Sequence, residues 1–337
     1  MKTRLLLVIR GKLGDTLIAW AAAAAYALRH PEAEITLLVR RNYLPVLARE
    51  PGVRRVAFGS RVEMIAKLLW LRLARPCFDA LAVLWGFGAP MAWIARLACA
   101  RRKIYLDASL AQWYPESPAA TADEFQVDPA WRVLRCLDPE LPRPQRLELP
   151  GLAALRDERG GAIGLVPFAG EARRNLDAPA VAVLAGELAR RHPGDPVWIF
   201  VDPGEARRID LPLPSGVELV AFATLEELID RYSRLKAWYG TDTGPYHLAV
   251  AMGIPSTVFF GPTQALKNAF PAQPNLVRVR LGVLGNEHCE QKQCARPLCL
   301  HQAVANFAGA NCATAIEDTP AGCPLRSHAA ETLAHNL

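Results

Sequence analysis

Short apolar runs alternate along this chain with longer stretches whose apolar residues recur every three or four positions. In the first half, residues 5–9, 35–39, 53–58 and 80–85 read as strands, and 16–29, 61–75 and 91–100 as helices. Strands separated by helical segments predict βαβ crossovers and a parallel sheet. Between about residues 138 and 160 the pattern gives way to a stretch rich in Pro, Gly and charge, which reads as a linker. The alternation then resumes. Residues 162–166, 197–201, 217–221, 237–239 and 256–260 read as strands, with helices over 178–191, 225–235 and 245–252. Beyond Gly261 the periodicity fades, and 325–337 reads as a final helix.

This pattern predicts an α/β protein of two Rossmann-like, doubly wound domains, 1–155 and 156–337, facing across a cleft. Open sheets of this kind bind ligands outside the C-terminal ends of their strands, so each domain is expected to hold one of two reactants. The length of 337 residues suits two domains, and the 51% hydrophobic and 21% charged composition excludes a disordered chain. A net charge of +6 favours anionic partners. The positive charge is dispersed, without a basic-aromatic stripe, which argues against nucleic acid. Residues 5–9 read as a strand and not a signal peptide, and the Ala-rich run 17–28 is too short to span a bilayer, so a cytoplasmic location is expected. In that compartment the eight cysteines are expected as free thiols.

Two strand–turn–helix junctions carry candidate chemistry. The first, RGKLGD at residues 10–15, puts Arg10, Lys12 and Gly14 in a loop where backbone N–H groups can approach a ligand. Asp15 either accepts a proton from a substrate hydroxyl or caps the helix beginning at Thr16. The second is TDTGPYH at residues 241–247. There Asp242 is placed to cap the helix, Pro245 is pre-set for its first turn, and Gly244 allows a ligand oxygen close. N–H groups near Thr243 and Tyr246, at the positive end of the helix dipole, suit a diphosphate. His247 reaches the ligand or packs in the core. In GEARRN at 170–175, Arg173 and Arg174 follow a strand end, where they grip phosphate or form a solvated pair.

Three stretches together resemble family 9 glycosyltransferases, the heptosyltransferases of lipopolysaccharide inner-core synthesis: LLVIRGKLGDTLIAWAAAAAYALRHPEAEITLLV, GEARRN and LKAWYGTDTGPYHLAVAMGIPSTVFFGPT. The resemblance implies a GT-B fold, an acceptor on the first domain and a nucleotide sugar on the second. It implies inverting, metal-independent transfer from ADP-heptose to a lipopolysaccharide core or other glycan or protein acceptor, with no cofactor. By position, Asp15 matches the family's general base, Arg173 or Arg174 its basic phosphate contact, and Asp242, Thr243 and Gly244 its donor turn. Glu205 falls where the family often places a ribose-binding acid. The chain departs from the family at Asn175 and Leu176, where Trp-Pro is frequent, and in a shorter loop from Arg10 to Asp15. A transferase using another nucleotide sugar, a catalytically silent nucleotide-binding protein of the same fold, and a dinucleotide oxidoreductase are the alternatives. The last is weakened because G-x-G-x-x-G is lacking.

Two further features stand outside that scheme. Residues 61–75 form a basic amphipathic stretch carrying Arg61, Lys67, Arg72 and Arg75, which either touches the inner membrane peripherally or covers the sheet with a solvated charged face. Cys289, Cys294, Cys299, Cys312 and Cys323 cluster near the end with His288 and His301. Their spacing is looser than that of paired metal-binding motifs, so free or redox-paired thiols are favoured over a metal site.

Overall fold

In this computed structural model, residues 2–74, 77–119, 125–157, 160–205, 209, 212–280, 294 and 297–309 are described. The chain divides into two compact units, Met1–Ala154 with Phe270–Gln273, and Leu155–Ala269 with Pro274–Leu337.

The first unit runs β1 (Arg4–Ile9), α1 (Leu13–Arg29), β2 (Glu34–Arg40), α2 (Leu44–Leu47), β3 (Val53–Phe58), α3 (Arg61–Ala74), β4 (Phe78–Trp85), α4 (Ala89–Leu97), β5 (Ala100–Ile104), α5 (Asp128–Arg135) and α6 (Pro150–Ala153). Its five strands are all parallel, in the order β3-β2-β1-β4-β5. Leu5 to Ile9 and Leu81 to Leu84 are almost fully buried, as expected of central strands covered on both faces. Helices α3 and α4 pack side by side and share a core with the sheet through Met64, Leu68, Leu71, Met91, Ile94 and Ala95. Helix α1 packs with α5.

The second unit runs β6 (Ala162–Val166), α7 (Ala178–Arg191), β7 (Val197–Val201), β8 (Val217–Ala221), α8 (Leu225–Tyr232), β9 (Leu235–Thr241), α9 (Gly244–Ala251), β10 (Ser256–Phe260), α10 (Ala265–Asn268), β11 (Leu276–Arg280) and α11 (Leu298–Ala308). Its six parallel strands are ordered β11-β10-β9-β6-β7-β8. Read from the other edge, this is the 3-2-1-4-5-6 order of a dinucleotide-binding Rossmann sheet. Strand order reverses between β6 and β9 here, and between β1 and β4 in the first unit.

The structure corrects several sequence expectations. The helix expected over 91–100 stops at Leu97, and Ala100 opens β5, whose exposed Arg101 and Arg102 hide its strand pattern. Strand β11 and helix α11 lie where the periodicity faded. Cys77 and Cys99 form a disulfide, with Cα atoms 4.7 Å apart, so free thiols do not hold for this pair. Each precedes one of two adjacent strands, and the Phe78 N–H donates to the Cys99 carbonyl at 2.8 Å, so strand pairing brings the two cysteines together. The helix expected over 325–337, Arg75, His288, Cys289, Cys312 and Cys323 lie outside the described residues.

Candidate functional site

The second unit gathers its candidates on the C-terminal edge of the sheet, beside the β6/β9 reversal. Strand β9 ends in buried Thr241 and runs into Asp242 and Thr243, the residue at the N-cap position of α9. Gly240, within β9, has no room for a side chain, because an added Cβ would stand 2.5 Å from the Val166 carbonyl oxygen of β6. Asp242 and Thr243 are only 4% and 6% exposed, whereas Gly244 and Pro245 are partly open, so this turn offers its backbone at the surface.

Asp242 takes a different place from the one expected. The N-cap is Thr243, and an Asp242 carboxylate oxygen lies 3.6 Å from Nη1 of Arg174. Of the expected N–H groups, that of Tyr246 donates to the Thr243 carbonyl at 3.1 Å and so closes the first turn. The loop after β6 delivers Arg174 through a short 3₁₀ turn, Ala172–Arg174. Asn175 fixes that loop by accepting from the Ala169 N–H at 2.6 Å. Arg173 and Arg174 are not equivalent. The buried Arg173 donates through Nε to Glu171 at 2.7 Å, while Arg174 is shared between Glu171 at 3.5 Å and Asp242. The solvated pair considered from sequence is therefore absent, and Arg174 is the guanidinium that meets the Asp242 turn.

His247 is buried one turn into α9, its ring 3.8 Å from that of Tyr246 between centroids. Burial, seconded by the charge of Arg174, pushes its imidazole down to about 3, so it is neutral near pH 7. Its Nδ1 and the hydroxyls of Thr241 and, after β10, Thr263 are buried without a hydrogen-bond partner among the described residues. Thr263 was not singled out from sequence, although it ends the motif FGPT. Glu205 follows β7, next to β6, on the same edge, where its carboxylate accepts from the Asp202 N–H at 3.4 Å.

The first unit repeats the arrangement after β1. Helix α1 begins at Leu13, three residues earlier than expected, so Asp15 lies inside its first turn and accepts from the Lys12 N–H at 2.8 Å. Gly11 is obligatory, because a Cβ there would stand 2.3 Å from the Cβ of Asp15 and 2.8 Å from Trp85. The Arg10 N–H donates to the Trp85 carbonyl at 2.7 Å, which ties this loop to the end of β4 across the order reversal. Arg10 is held below its ordinary value by burial first and then by Arg40 and Arg61. Burial raises the Tyr43 hydroxyl, with Arg40 opposing and Asp15 adding to the shift. Ends of β1, β2 and β3 thus bring three guanidiniums within electrostatic reach of one another, on the edge where Asp15 acts on Tyr43. Arg40 and Tyr43 went unrecognised in the sequence, because only sheet order brings Arg40 to Arg10 and Tyr43 to Asp15.

A cavity of about 270 Å³, lined by Trp20, Leu28, Ile35 and Glu50 among others, lies at the opposite, N-terminal edge of this sheet. Among the described residues no group of three or more His, Cys, Asp or Glu side chains is placed to hold a metal. The described members of the cysteine cluster, Cys294 and Cys299, are buried thiols.

Two parallel α/β units, each with a reversal of strand order, are the architecture of the GT-B fold. Residues 201–299 match the model of glycosyltransferase family 9 (heptosyltransferase), in line with the resemblance read from the sequence. The fold is similar to that of a family 9 glycosyl transferase from Veillonella parvula DSM 2008, with a TM-score of 0.74, 14% identity, and coverage of 92% of this chain and 97% of that one. It is similar to E. coli heptosyltransferase WaaC with ADP at a TM-score of 0.70 and 19% identity, covering 91% and 99%. An iron-containing dodecameric glycosyltransferase, TibC from enterotoxigenic E. coli H10407, is more distant, at 0.56 and 14%, covering 92% and 74%. No curated protein matches the sequence.

Proposed function

We propose that this protein transfers a heptose from ADP-heptose to a lipopolysaccharide core or related anionic glycan, with inversion, without a metal cofactor, and on the cytoplasmic side of the inner membrane. The observation that carries the reading is the meeting of Arg174 with the Asp242–Thr243–Gly244 turn at the β6/β9 reversal. In such sheets a nucleotide sits at this reversal, with its diphosphate against a helix start. Arg174 then stabilises the charge that grows on the leaving diphosphate, together with the positive end of α9. Asp242 holds Arg174 in place while its own charge is offset. Glu205, on the neighbouring strand end, takes the ribose.

On the first unit, Asp15 is the general base for the acceptor hydroxyl, a role that contributes about 10²- to 10⁴-fold. The Lys12 N–H orients its carboxylate, and Arg10, Arg40 and Arg61 suit a phosphorylated or carboxylated acceptor. Asp15→Asn preserves the acceptor for the Lys12 N–H. In that variant, turnover of ADP-heptose should fall by about 10² or more, with ADP affinity unchanged. Turnover near that of the parent protein rejects the role. A second reading, nucleotide-sugar binding without transfer, draws support from the engagement of Asp15 in the α1 cap, and absence of any turnover in the parent would favour it.

A further inference from the structure

Helix α3 is apolar on two opposite sides. Met64, Leu68 and Leu71 face the sheet and are buried. Val62, Ala66, Leu69 and Leu73, spaced by four, three and four residues, form a second stripe on the far side of the helix. That stripe is open: Leu73 is 86% exposed, Val62 76% and Leu69 42%, and Trp70 beside it is 44% exposed. Helix α3 thus covers the sheet, as one of the two sequence expectations had it, but its solvent side is an apolar stripe with the charges at its borders. On adjacent α4, Trp93 is 50% exposed.

Cations flank the stripe. Arg61 and Arg72 lie on one side of α3 and Lys67 on the other. The Arg54 guanidinium lies 5.0 Å from the Trp70 ring centre, and that of Arg96 lies 5.7 Å from Trp93 and 4.7 Å from Trp113. The acid on this helix, Glu63, is engaged by Arg41 and by the Gly59 N–H at 2.7 Å. An exposed apolar stripe bordered by Arg and Trp is the composition of a helix lying in a membrane interface.

We propose that the outer face of α3, with Trp93 of α4, rests on an anionic lipid bilayer. Leu69, Leu73 and Val62 enter the boundary between headgroups and acyl chains, the indoles sit at headgroup level, and Arg61, Arg72 and Arg96 meet lipid phosphates. At 14 residues, α3 lies on the surface and does not span it. Charge decides against a second copy of the chain as the occupant, because a two-fold contact would set Arg61, Arg72 and Arg96 against their own counterparts. The charge of Arg61 also acts on Arg10, so the lipid face continues into the edge assigned to the acceptor. The surface stands on its own residues; its purpose, delivery of a lipid-borne acceptor, rests on the transfer reading.

The test is flotation of the full chain with vesicles of phosphatidylcholine alone or mixed with phosphatidylglycerol. The chain should float with the anionic vesicles only, and added salt should release it. Leu69→Ser with Leu73→Ser, and separately Arg72→Glu, should each lower the bound fraction about tenfold, with circular dichroism and ADP binding unchanged. Failure to float with anionic vesicles, or variants that float as well as the parent, overturns the proposal. Self-association without lipid that the same substitutions abolish also overturns it, in favour of a second copy. ADP binding on the same samples keeps the two readings apart: its absence counts against the transferase, and loss of flotation with ADP still bound counts only against the lipid face.

Discussion

Arg174 carries two burdens that one substitution can separate. Arg174→Met keeps the length of the side chain and removes both the contact to Asp242 and the positive seat for phosphate. ADP affinity should fall about 10- to 100-fold, the equivalent of one lost charge-assisted bond, as read by calorimetry; unchanged affinity places the diphosphate elsewhere. His247 makes a pH prediction. Its folded value of about 3 lies below the ordinary 6.5, so between those limits the unfolded chain takes up a proton that the folded chain refuses. Its contribution to stability is whole above about pH 6.5 and is lost as pH falls toward 3. His247→Gln should flatten the decline of Tm over that window; an equally steep decline assigns the acid sensitivity to other groups. At both sites the sequence showed the residues that follow a strand directly, because strand–turn–helix junctions are contiguous. It did not show Glu171 as the partner of both arginines, nor Tyr43 beside Asp15 and Arg40 beside Arg10, because those neighbours come from side-chain direction and strand order.

Elements were legible where periodicity was clean. The buried central strands β1, β4, β6, β7 and β10 and the long helices α1, α3 and α7 all stand close to their expected places. Edge strand β5 was hidden because cations on an edge oppose the usual strand composition, a device that also blunts pairing with other chains. Caps can be tested one by one. Asp177 accepts from the Ala180 N–H at 3.0 Å at the start of α7, so Asp177→Ala should cost about 1 kcal/mol. Denaturant titration reads that loss, and no change in midpoint would mean the first turn of α7 is held by other groups.

For the molecule as a whole, the recurrence of strand–helix units pointed correctly to two α/β sheets and gave their parallel sense. The Cys77–Cys99 bond was not legible, since compartment argues against it and only the β4/β5 pairing brings the two residues together. Reducing a bond that closes a 22-residue separation should lower unfolding free energy by about 3 kcal/mol. Equal denaturation midpoints with and without reductant would show that it contributes nothing.

The small return of residues Phe270–Gln273 to the first unit has a practical bearing on dissection. Gln273 accepts from the Leu147 N–H at 2.8 Å, and Phe270 meets Phe125 edge-on at 5.0 Å between centroids. A gene cut between codons 154 and 155 would therefore hand one fragment a buried amide with no acceptor and an aromatic with no mate. Hybrids between relatives would have to exchange that tetrapeptide together with the amino-terminal segment, so shuffling at a single junction is expected to yield poorly folded chimaeras even when both parents are sound.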